Sequence, residues 1–88
     1  MLVLVKQILR QLRVVSAEGC GDVHFYVLAG SVLDYCVHEI PNKKIRQLIR
    51  PLIDKCSKVQ LSYLGYQIEQ IHDMTEFVLS ELSRTPID

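Results

Sequence analysis

From Leu61 to Leu82 the chain places Leu61, Leu64, Ile68, Ile71, Thr75, Val78 and Leu82 alternately three and four positions apart. Only a helix gathers residues at that spacing on one side; a strand scatters them over two faces. The stretch is therefore expected to be an α-helix with a heptad seam, Thr75 being its one polar member. A stripe this long has to be covered, either by the rest of the chain or by another chain.

The S-x-x-Q form of Ser57 to Gln60 has the character of a capping box and predicts a helix start near residue 58, with the helix running to about 83. Gly65 falls within the seam without interrupting it, which predicts a close contact at that point. Upstream, Ile45, Leu48, Ile49, Leu52, Ile53 and Cys56 follow the same rhythm, after a break and a new start at Pro41 and Asn42. Pro51 lies inside that rhythm and is expected to kink the helix rather than end it. Whether 43–82 is a hairpin or one bent rod stays open, because no turn residues lie near Ser57.

Residues 23–37 are almost uniformly apolar, and periodicity does not separate a buried helix from a buried strand. Length favours a helix capped by Asp22, and Ala29-Gly30-Ser31 lets a neighbour approach closely. At the start, Leu2, Val5, Leu9 and Leu12 form one face of an amphipathic helix of about three turns, which runs out in residues 16–21, where Gly19 and Gly21 make a flexible connection. The expected fold is all-α: a small bundle of about four helices forming one domain over residues 1–88, with 83–88 a frayed tail.

Composition adds one constraint. In 88 residues, 49% are apolar, more than a bundle of this size readily hides, so completion by self-association is expected. Tyr63, Tyr66, Met74, Phe77 and Leu79 lie off the seam and give the last helix apolar material on a second face.

Net charge is zero but segregated. Residues 40–58 carry Lys43, Lys44, Arg46, Arg50, Lys55 and Lys58 against Asp54, and the following segment is acidic. Lys43, Arg46 and Arg50 share a stripe, widened by Lys44, that suits contact with the phosphates of a nucleic acid. No aromatic residue interleaves them, so stacking on single-stranded bases is unsupported.

Catalytic and metal chemistry find little footing. Cys20, Cys36 and Cys56 are widely spaced, and with His24, His38 and His72 they make no two close ligand pairs, so no metal and no cofactor are expected. His72-Asp73 and the cysteines supply the residue types of nucleophilic catalysis without a local signature. Gly19 and Gly21 do not form a phosphate-binding loop. An odd number of cysteines points to free thiols in a reducing compartment, cytoplasm or nucleus. The first seventeen residues, with Lys6, Arg10 and Arg13 and no acid, also have the look of a mitochondrial presequence, a weaker reading because the segment suits a core helix. No apolar run is long enough to span a membrane.

The expected function is that of a non-enzymatic interaction module, self-associating or docking on a larger assembly through Leu61, Leu64, Ile68, Ile71, Thr75, Val78 and Leu82. The alternative is a helical nucleic-acid binder, with duplex RNA one candidate, using Lys43, Lys44, Arg46 and Arg50.

Overall fold

The computed structural model describes residues 1–84. Four helices follow in order: α1 (Leu2–Ala17), α2 (Val23–His38), α3 (Lys43–Ser57) and α4 (Leu64–Arg84), the last preceded by a 3-10 turn at Leu61–Tyr63. There is no strand among the described residues. Each helix packs on the next and α4 returns to α1, closing a four-membered ring 40 Å long and 21 by 17 Å across.

Side-chain chemistry sets the helix boundaries. The Asp22 carboxylate accepts from the Phe25 N–H at 2.8 Å and starts α2. Asn42 accepts from the N–H groups of Lys44 and Ile45 and starts α3. Between α1 and α2 the turn uses Gly19 and Gly21, both at positive φ. At Gly21 even a Cβ is excluded, since it would lie 2.8 Å from the Tyr26 ring. Tyr26 closes the same turn: its buried hydroxyl donates to the Cys20 carbonyl at 2.5 Å.

The apolar faces meet in one core. Val5, Leu9 and Leu12 face Tyr26, Leu33 and Val37, while Ile45, Ile49, Leu52 and Cys56 close from α3. Ile68, Ile71, Val78 and Leu82 complete it from α4. Gly30 is where α2 and α3 come closest, as its position between Ala29 and Ser31 suggests; an added Cβ would sit 2.9 Å from that of Cys56. Burial pushes the Cys56 thiol up to about 12. Burial, then the neighbouring thiols of Cys56 and Cys20, raises the Tyr26 phenol to about 12 as well.

Several expectations need correction. The helix at the start extends to Ala17, beyond the three turns its apolar face suggested. The last helix begins at Leu64 rather than near 58, and the capping box does not form. Ser57 belongs to α3, where its hydroxyl donates to the Asp54 carbonyl. The corner is held instead by Gln67, whose side chain accepts from the Gln60 N–H and donates to the Lys58 carbonyl. Gly65 is not a close contact, because a Cβ there meets nothing within 4 Å. Residues 43–82 form a helical hairpin, with Leu48, Pro51 and Leu52 beside Met74, Phe77 and Val78. Helix α3 continues through Pro51. Both Pro51 and Gln47, whose carbonyl loses its partner, are exposed, so water can take the missing bond. Of the expected frayed tail, Ser83 and Arg84 are helical and 85–88 lie outside the described residues.

Candidate interaction surface

The α4 seam turns inward. Ile68, Ile71, Thr75, Val78 and Leu82 are buried within the chain, Leu64 is half-buried, and Leu61 alone is well exposed at 81%. Thr75 satisfies its hydroxyl inside its own helix, donating to the Ile71 carbonyl at 2.7 Å. In this fold these five positions are core and not a surface open to a partner. The reason is the ring of helices: α4 packs against both α1 and α3, and its heptad stripe is the side both neighbours reach.

The basic stripe is partly consumed by the fold. Arg46 donates to the carbonyls of Ile40 and Pro41 at 2.7 and 2.8 Å, tying down the connection between α2 and α3. Arg50 pairs with Asp34 of α2 at 2.6 Å. Lys43 and Lys44 remain exposed. The four residues lie on one helix, but two of the four cations already hold the bundle together.

One constellation was not visible in the sequence. Ser16 Oγ lies 3.1 Å from His72 Nδ1, and His72 Nε2 lies 3.5 Å from Glu76. The types are those of a nucleophile, a base and an acid. Ser16 is buried, however, and its hydroxyl is shared between the imidazole and the Arg13 carbonyl of its own helix, 3.2 Å away. A clasp between α1 and α4 accounts for these contacts. Among the described residues no three His, Cys, Asp or Glu side chains gather as metal ligands would. Among the described residues no helix is long and apolar enough to cross a membrane. The thiols are free, Cys20 exposed and Cys36 and Cys56 buried.

The largest departure from an ordinary bundle surface is on α1 and α2. Along α2, His24, Leu28, Ser31, Tyr35 and His38 are all exposed, and they follow steps of four and three. Leu28 is 64% exposed and Tyr35 68%, with Val27 and Val32 beside them. Between His24 and Asp34 the helix carries no charged residue at all. The same face continues onto α1. Ile8, Gln11 and Leu12 form an apolar groove with Phe25, Leu28, Ala29 and Val32, and Leu4 is exposed one turn before Ile8. Lys6, Arg10 and Arg13 occupy a different stripe of α1 from Leu4, Ile8 and Gln11, so no cation enters the groove.

Sequence reasoning passed over this second seam because nearly every residue of α2 is apolar. His24, Ser31 and His38, seven residues apart, mark its solvent side, and the apolar Leu28 and Tyr35 between them were read as part of the buried run. A smaller exposed patch, Leu61, Tyr63 and Tyr66, lies at the α3–α4 corner, and Phe77 is exposed over the groove between those helices. Compared with protein-family models, with curated proteins and with solved structures, the chain matches none.

Proposed function

We propose that this chain is a non-enzymatic interaction module whose working surface is the outer face of α1 and α2, docking on a second protein chain. The supporting observation is the mismatch on α2. Between the polar His24, Ser31 and His38 of its solvent side, Val27, Leu28, Val32 and Tyr35 stay exposed rather than joining the core. Covering a side chain such as Leu28 or Val32 is worth about 1.5–3 kcal/mol at full burial, so a partner that seals the groove gains substantially. The absence of fixed charge along the face selects an apolar partner surface and disfavours a phosphate backbone or a strongly charged peptide. Three free thiols suit a reducing compartment.

A photo-crosslinking residue at Leu28, compared with one at Gln47 on the exposed side of α3, tests this in cells expressing the chain. An adduct of discrete mass from position 28 and none from 47 is expected. No adduct from 28, or equal yields from both, removes the proposal.

Nucleic-acid binding ranks second. With Arg46 and Arg50 engaged, Lys43 and Lys44 alone of the four are free to meet phosphates, and their counterion release supports only weak affinity. Binding to a short duplex that is tight at low salt and lost at higher salt would restore that reading.

A further inference from the structure

We infer that the cavity at the start of α1 binds a free carboxylate bearing a medium-length hydrocarbon chain. The chain lies against Leu2, Ile40 and Ile45, and the head group meets Lys6. The cavity shares no lining residue with the α1–α2 groove, so the inference stands apart from the docking proposed there.

The walls come from two segments far apart in the sequence. Leu2, Val3 and Lys6 at the start of α1 face Ile40, Pro41 and Ile45, from the α2–α3 connection and the first turn of α3, across a space of about 510 Å³. Small-molecule sites typically enclose about 300–1,000 Å³. Ile40 and Ile45 are 5% and 4% exposed, so the cavity reaches down to the core. Its far wall is held in place before anything binds. Arg46 bonds the carbonyls of Ile40 and Pro41, and Asn42, which also lines the cavity, bonds the N–H groups of Lys44 and Ile45. A wall fixed in advance loses little further order on binding.

Charge selects the occupant. Lys6 is half-buried, and none of the ion pairs among the described residues involves it. Helix α1 contains no acidic residue, and α3 adds the exposed Lys43 and Lys44 between Asn42 and Ile45. Glu39, the acid nearest in sequence to Ile40, does not line the cavity. An apolar space edged by an unpaired ammonium fits an anion that carries its own apolar body. The hydrocarbon leaves water while the head pairs with Lys6.

The head is a carboxylate and not a phosphate. Two of the N–H groups at the start of α3, which would otherwise attract phosphate, are taken by Asn42. The guanidinium of Arg46 is committed to backbone carbonyls, so no fork of donors is left for a second phosphate oxygen.

Decanoate below its micelle concentration is the probe, followed through the backbone amide signals of the isotope-labelled full chain. One-to-one saturation is expected, with shifts centred on residues 2–6 and 40–45. Decanol, with the same chain and no charge, and butyrate, with the same head and a short chain, should each bind about tenfold more weakly or worse. Lys6→Met keeps an apolar stem and removes the charge. It should lose about tenfold for decanoate and leave decanol unchanged. Val3→Asp, at a position 70% exposed, should weaken decanoate by a similar factor with the circular dichroism of the helices intact. Absence of saturation overturns the inference, as do equal affinities for decanoate and decanol. Decanoate binding that is indifferent to Lys6→Met, or shifts centred on Leu28 and Val32, overturn it as well.

Discussion

Gly30 and Gly65 carry opposite consequences from the same missing side chain. At Gly30 an added methyl would press on Cys56 Cβ at 2.9 Å and approach the Ile53 carbonyl oxygen at 3.4 Å. Overpacking of that kind costs about 1–3 kcal/mol, against about 1 kcal/mol gained from replacing glycine in a helix. Gly30→Ala should therefore lower the thermal midpoint. Gly65→Ala meets open space and should raise it, through a stability gain of up to about 1 kcal/mol. A pair of melting curves distinguishes the two; a stabilised Gly30→Ala would mean that α2 and α3 are farther apart than described. The Cys56 thiol predicts a pH effect of definite sign. The folded chain holds its proton up to about 12, whereas an unfolded thiol releases its proton from an ordinary value of 9.0. Stability from this group is complete below that ordinary value and declines as pH rises toward the folded one, by about 1.4 kcal/mol per pH unit over the interval. Tyr26 adds to the decline from its own ordinary value of 10.0. Urea midpoints at successive alkaline pH values should fall more steeply for the natural chain than for Cys56→Ala; equal slopes would remove the assignment.

Among the helices, α4 decides how the heptad pattern is read. Ile68 is 4% exposed and faces the core, so Ile68→Asp buries an uncompensated carboxylate at a cost of several kcal/mol, about 3–5 by analogy with other buried charges. The expected outcome is an unfolded chain with lost helical dichroism. A folded monomer instead would show that the seam had been the contact with a partner. Helix α3 permits a matching separation of roles. Arg46→Ala removes two bonds to backbone carbonyls and should cost about 1–2 kcal/mol, whereas Lys43→Ala with Lys44→Ala should change stability by less than about 0.5 kcal/mol. Denaturant titrations of the two variants check this. Equal losses would mean that Arg46 is no more structural than its lysine neighbours.

At the scale of the whole molecule, four short helices share a core thin enough that each contributes two faces, one to each neighbour in the ring. A bundle only 17 Å across in its thinnest direction has little interior, and α2 is more apolar than its share of that interior requires.

Much of the architecture was legible beforehand because it is local. The periodicity of Ile45 to Cys56, the caps at Asp22 and Asn42, and the inward set Val5, Leu9 and Leu12 each depend on residues within a few turns of one another. The start of α4 was misjudged because Ser57 and Gln60 have the composition of a capping box but lie where α3 is still ending. Long-range facts were out of reach. Amphipathicity states that a helix side must be covered without saying by what, so the same heptad pattern served equally for a core and for a docking surface. The commitment of Arg46 and Arg50, and the clasp of Ser16 with His72, depend on groups brought together from 5 to 56 residues apart. By itself the sequence determined a helical chain and the sides of its periodic segments that shun water, since helical period and capping are properties of neighbouring residues. Only the tertiary structure decided which of those sides meet one another. Closing α4 onto α1 consumed the seam of the last helix and left that of the second facing solvent.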